Sequence, residues 1–308
     1  MFRLALALSA ALFATGAAAE QRTIVDAAGR SVPIADTSRI VAIGGAVTEI
    51  LYALRLEDRI VAVDLTSDFP ERAQQKASVG YMRTLSPEGV LSVAPSLVLA
   101  IEGSGPKEAI DVLEKASVPF VLVPEAHDAA GVVAKIRFVA DVVGEHEKGK
   151  ALANAVAADL ATVAASRPPQ DQRRKAIFVL SMAGGGPMVA GEGTSAADVF
   201  ALAGVQNALT GVTGYKAANE EASMQAMPDA VVMMSRGEHV ANADEVFASA
   251  AFAGTPAAHD KRLVVLPGEY LLGLGPRTAQ AARDLFVGIY PDRPPPAVPE
   301  RPWSTDTE

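Results

Sequence analysis

Short, almost uninterrupted apolar runs alternate along this chain with longer segments whose apolar positions recur every three to four residues. The first run, Arg39 to Ile43, is closed by Gly44-Gly45. Ile60-Val61-Ala62-Val63, Leu97-Val98-Leu99-Ala100 and Phe120-Val121-Leu122-Val123 repeat the pattern. Helical spacing fills the intervals over Thr48 to Leu56, around Pro87 to Val93, and from Lys107 to Ala116. A strand that is apolar at every position is buried on both faces, so this alternation predicts a mostly parallel sheet covered by helices on each side. Ahead of it, Thr23 to Pro33 reads as a short hairpin turning near Ala28-Gly29.

From about Ala129 to Ala165 one helical pattern runs on, through Val133, Ile136, Val139, Val143, Leu152, Val156 and Leu160, until Arg167-Pro168-Pro169 stops it. Its length exceeds that of an ordinary globular helix. It reads as a rigid connector between two units, with two ordinary helices of one domain as the alternative and Gly144 and Gly149 as interruptions. The strand-helix pattern then restarts: strands at Ala176 to Leu180, Ala230 to Met234 and Leu263 to Leu266, helices at Ser195 to Ala203, Ala243 to Ala250 and Arg277 to Tyr290. A proline-rich polar stretch follows and is expected to be a loose tail. The two halves also echo each other. Glu88 stands seven residues before Pro95, and Glu221 seven before Pro228, each in a short helical segment that leads through a proline into a strand.

The first residues change the picture. Met1-Phe2-Arg3, an apolar run from Leu4 to Ala14, and Ala17-Ala18-Ala19 before Glu20 form a signal peptide cleaved after Ala19, which sends the chain across the inner membrane. There is no cysteine, hence no lipid-anchoring thiol, disulfide or thiolate chemistry. A formal charge of -9 argues against nucleic acid as a partner. The four histidines show no metal-ligand spacing. Gly184-Gly185-Gly186-Pro187 and Gly191-Glu192-Gly193-Thr194 lack the ending of a phosphate loop, and no nucleophile elbow is present. The residues thus point to binding rather than catalysis.

The segment Gly80-Tyr81-Met82-Arg83-Thr84-Leu85-Ser86-Pro87-Glu88-Gly89-Val90-Leu91-Ser92 resembles the periplasmic haem-binding proteins of bacterial haem ABC transporters, within the cluster that also holds vitamin B12 and siderophore binders. The resemblance extends to Gly44-Gly45, to Met233-Met234-Ser235-Arg236-Gly237, and to Leu271-Leu272-Gly273-Leu274-Gly275-Pro276-Arg277-Thr278. It implies an α/β fold of two similar Rossmann-like lobes with central, mostly parallel sheets. One long helix bridges them, and a ligand cleft that moves little lies between. The corresponding division is a signal peptide over 1–19, an N-terminal lobe over 20–128, a linking helix over 129–166, a C-terminal lobe over 167–291 and a Pro-rich tail over 292–308.

The resemblance also implies roles. Tyr81 matches the axial ligand of ferric haem b, the transported cargo. Arg83 pairs with a propionate, Arg236 hydrogen-bonds the axial phenolate, and Tyr270 and Arg277 border a second loop near the cleft. Glu88 and Glu221, with Glu220 and Glu192 as alternatives for the second, dock onto the transmembrane permease of a haem ABC transporter. An outer-membrane haem receptor stands upstream. The chemistry agrees. A phenolate is a hard ligand for ferric iron. Iron and a neighbouring arginine both favour ionisation of a group whose free pKa is about 10. Arginine offers a carboxylate a two-pronged grip. Met82, Met182, Met188 and Leu271 or Leu272 are candidates for the apolar slot, and His239 for a weaker role near the iron. A ferric siderophore or corrinoid binder of the same fold stays open as an alternative, as do a haem-handling enzyme or storage protein and an adhesion module.

Overall fold

The computed structural model describes residues 22–182, 186–235 and 241–305. β1 (Arg22–Val25) and β2 (Ser31–Ile34) form the expected antiparallel hairpin. The first sheet contains β3 (Ile40–Ile43), β4 (Ile60–Val63), β5 (Ala77–Ser78), β6 (Leu97–Ile101) and β7 (Phe120–Val123), interleaved with α1 (Gly45–Ala53), α2 (Pro87–Ser92) and α3 (Lys107–Glu114). Its order is β5-β4-β3-β6-β7 and every pair is parallel. The side-chain alternation of a strand explains why β3 has no polar position. Ile40 and Ala42 enter one core with Val47, Ile50 and Leu51 of α1, whereas Val41 and Ile43 enter another with Val90 of α2 and Ile110 of α3. Each such fully buried aliphatic side chain contributes roughly 1.5–3 kcal/mol.

The expected helix over 129–166 is divided. α4 (Ala129–Val143) ends at Gly144, which adopts the left-handed conformation (φ 78°) that caps a helix and that a side chain resists. α5 (His146–Ser166) then turns back along α4: Gly149 lies so close to Ala140 that a Cβ would collide with it, and Arg137 donates to Asn154 at 3.1 Å. The bridging is done by α5. It starts beside the first lobe, where Lys148 reaches the Leu54 carbonyl at 3.4 Å, and its Leu152, Val156, Leu160 and Val163 face the core.

The second sheet contains β8 (Lys175–Ser181), β9 (Met188–Ala190), β10 (Gln206–Asn207), β11 (Tyr215–Ala217), β12 (Ala230–Ser235) and β13 (Leu263–Pro267). With them come α6 (Ser195–Ala203), α7 (Glu220–Gln225), α8 (Ala243–Ala248), α9 (Pro256–His259), α10 (Gly268–Leu272) and α11 (Thr278–Ile289). The order is β11-β9-β8-β12-β13, with β10 also on β8. The sheet is mixed, since β9 runs against both β8 and β11. Ala176 and Phe178 of β8 join the same central core as β3 and α1, together with residues of α4, α5, α6 and α11. One apolar core therefore runs continuously from lobe to lobe, and the other face of each sheet has a core of its own.

The proline-rich stretch is held rather than loose. Arg301 grips the buried Asp159 of α5 with two nitrogens, at 2.6 and 3.0 Å, Val298 is buried, and Trp303 packs on the central core. A bidentate arginine and an aromatic anchor outweigh the polar composition that suggested freedom.

Candidate functional site

Ligands of open α/β sheets bind beyond the carboxyl ends of the strands, where the strand order reverses. In the first sheet the reversal is at β3, whose neighbours β4 and β6 lie on opposite sides. The loop after β5 is built there. Gly80 takes φ 88° with no atom near its missing Cβ, so glycine is needed for the backbone conformation and not for space. The next residue, Tyr81, is 41% exposed. Backbone bonds fix the loop on both sides: Leu65 N–H donates to Gly80, Thr84 to Tyr81, Gly105 to Met82, and Leu85 to Gly105, all at 2.8–2.9 Å. Among the described residues the Tyr81 hydroxyl has no hydrogen-bond partner. Arg83, also exposed, follows on the same loop. Beneath it the buried Asp64 accepts from Gly44 N at 2.8 Å, Thr66 N at 3.0 Å and Ser67 Oγ at 3.1 Å, tying the loops after β3 and β4 together.

The second lobe meets this edge in two places. At one flank, Tyr215 of β11 is near enough to Arg83 for the guanidinium to favour its ionised form, while burial holds the phenol above its ordinary value. His127 pairs with Asp198 of α6 at 2.9 Å on the same flank. At the other, Arg277 and Glu49 of α1 form a buried two-pronged ion pair, with Nε to Oε2 at 3.0 Å. The guanidinium lies 3.5 Å from the Phe69 ring centre and 5.0 Å from that of Tyr270. Burial raises the Glu49 carboxyl above its ordinary range against the pull of Arg277, so desolvation offsets part of the attraction. Glu269 of α10 packs on Gly45, where any Cβ would strike it. Burial, then the charges of Glu49, Asp68 and Asp64, hold its carboxyl well above the ordinary range. Lys135, itself buried, pairs with Glu125 at 2.5 Å.

Tyr81 and Arg83 thus share one loop. Tyr270 instead donates its hydroxyl to Asp284 at 2.7 Å and stands in the seam with Arg277. Arg236 follows the last residue of β12 and, like His239 and the leader over 1–19, lies outside the described residues. Glu88 and Glu221 are both exposed in the first turn of a short helix. Ser86 caps the first of these helices and Asn219 the second. Of the proposed slot residues, Leu271 is buried in the central core and Met82 packs between the two cores of the first lobe, because each is on the inward side of its element. Met182 and Met188 are half-buried. His127, His146 and His259 are exposed side chains. Sequence reading missed Tyr215, Asp64 and Glu269. Only Tyr215 left a signal, a Gly-Tyr pair upstream of the second glutamate that repeats the one upstream of the first.

Comparison with known proteins agrees with this architecture. The family model described as "Periplasmic binding protein" matches residues 40–270. The periplasmic heme-binding protein BhuT, in complex with two hemes, superposes with a TM-score of 0.76 at 35% identity, covering 82% of this chain and 97% of that one. The periplasmic heme-binding protein RhuT from Roseiflexus sp. RS-1, in apo form, gives 0.76 at 33% identity, covering 83% and 99%. An uncharacterized ABC transporter substrate-binding lipoprotein of Bacillus subtilis, YvrC, is 26% identical over 274 residues, 88% of this chain and 86% of its own length. With three quarters of its length matched by the family model and the two-lobed architecture shared with solved members, this chain belongs to the periplasmic binding protein family.

Proposed function

We propose that this protein captures ferric haem in the periplasm through a tyrosinate bond from Tyr81 and delivers it to an ABC importer. The observation that carries the reading is the Tyr81 loop: an exposed phenol with no hydrogen-bond partner among the described residues, on a rigidly bonded loop, with an exposed arginine two residues on. Relatives whose names state heme binding share at least 82% of this chain at 33–35% identity. A hard anionic oxygen suits ferric iron, and iron itself drives the phenol to ionise. In this reading Arg83 meets a propionate, and Arg236, which comes next in the sequence after β12, stabilises the phenolate. Family membership makes this a ligand carrier and not a catalyst. The leader is removed after Ala19. Among the described residues no helix is long and apolar enough to cross a membrane. Glu88 on one lobe and Glu221 on the other engage the permease, and an outer-membrane receptor supplies the haem.

The test is a ferric haem titration of the mature protein followed by visible absorption. Wild type saturates with a high-spin tyrosinate spectrum. Tyr81→Phe loses that spectrum and binds at least tenfold more weakly. Saturation at two equivalents would keep the function and add a second bound haem. Absence of saturable binding would overturn the assignment in favour of a siderophore or corrinoid.

A further inference from the structure

The second lobe repeats the local construction that presents Tyr81. Gly80 (φ 88°) precedes Tyr81, and Gly214 (φ 73°) precedes Tyr215. Tyr81 follows β5 and Tyr215 opens β11, and both strands are edges of their sheets. Each tyrosine leads into a six-residue helix whose cap side chain accepts from the third residue on, Ser86 from Gly89 and Asn219 from Ala222. An exposed glutamate sits in each first turn. A residue with positive φ, Ala94 or Met227, then precedes a proline, and the next strand pairs with the first strand of its sheet. The two residues are 41% and 38% exposed.

The Tyr81 hydroxyl has no hydrogen-bond partner among the described residues. The Tyr215 ring meets Phe178 edge-on, centres 6.3 Å apart at 67°, which fixes its plane. Arg83 of the opposite lobe is close enough to act on it, so the ring stands where the first lobe's ligand-binding loop faces the second. An aromatic side chain held edge-on by a neighbouring ring and still partly exposed is suited to a flat apolar ligand.

We propose that Tyr215 is a ligand-contacting residue, the C-terminal counterpart of Tyr81, which lays its ring against the porphyrin while Tyr81 alone supplies the bond to iron. The inference rests on the haem reading above. It is tested with Tyr215→Ala, Tyr215→Leu and Tyr215→Phe, each checked for a native melting profile, by following release of bound ferric haem to excess apomyoglobin. Ala and Leu release haem roughly tenfold faster than wild type, as loss of a stacked ring predicts, and Phe stays within about twofold because the ring remains. All three keep the wild-type absorption spectrum. Release at the wild-type rate from both Ala and Leu would overturn the contact, and an altered spectrum in Phe would overturn its restriction to the ring. If wild type itself binds no haem, both readings fall. If wild type binds and only the release rates are unmoved, the inference about Tyr215 falls alone.

Discussion

In the first lobe the strand beside β3 is β4, which runs parallel to it and is reached through α1. In the second lobe the corresponding side of β8 is shared. β10, reached through α6 as β4 is through α1, pairs only with Lys175 and Ala176, and the antiparallel β9 takes the end at Val179 and Ser181. The hairpin thus displaces the strand that would complete the copy. The edge strand β11 then joins β9 instead of a parallel neighbour, and Tyr215 belongs to a strand where Tyr81 belongs to a loop. Loops carry function on a scaffold that positions them. The first lobe keeps its sheet uniformly parallel and carries an exposed tyrosine on a bonded loop, while the second, with its mixed sheet, carries its tyrosine on an edge strand.

The comparison is sharpest at the seam, where Arg277 meets Glu49 across 228 residues of sequence. Arg277→Ala leaves a buried carboxylate uncompensated and should cost about 3–5 kcal/mol, read as a lower midpoint in urea unfolding. A change under about 1 kcal/mol, the scale of an exposed pair, would mean that the seam is solvated and the lobes only loosely coupled.

Glu269 gives the next effect, and its sign is fixed. Because its folded carboxyl titrates well above the ordinary range, the folded state keeps a proton that the unfolded chain has already released. That contribution is fully present below the unfolded value, about pH 4.3, and is lost as pH rises through the folded one. Glu269→Gln cannot ionise. It should melt at a higher temperature than wild type at neutral pH, and the gap should close towards pH 4. A gap independent of pH would assign the effect to packing on Gly45 instead.

The smallest effect on stability is expected where the lobes are most alike. Glu88→Arg and Glu221→Arg, both exposed, should change unfolding free energy by less than about 0.5 kcal/mol and leave haem binding intact. Each should nonetheless abolish most of the ATPase stimulation of the reconstituted importer. Loss from Glu88→Arg alone would show that only the first lobe docks through this position.

The apolar runs and their helical intervals were readable because burial on two faces leaves no room for polar residues, and β3, β6, β8 and β12 follow them. The strands β5, β9, β10 and β11 were not, since two or three residues carry no period. The helix over 129–166 read as continuous because its apolar spacing survives the break, and only the left-handed turn at Gly144 divides it. Tyr81, Arg83 and Glu88 could be singled out because the resemblance is carried by one contiguous motif, Gly80 to Ser92.

By itself the sequence determined the α/β class and the restart of the strand-helix pattern in a second half, while the Tyr81 loop stood out only through its resemblance to the haem-binding family. The first two properties are local, because they depend on side-chain periodicity along the chain. Tertiary structure alone decided which charges are buried and which of them are paired. Glu49 and Arg277 look like any surface charges until folding brings them together from distant segments and removes the water between them. Electrostatic consequence depends on that removal, and no local pattern encodes it.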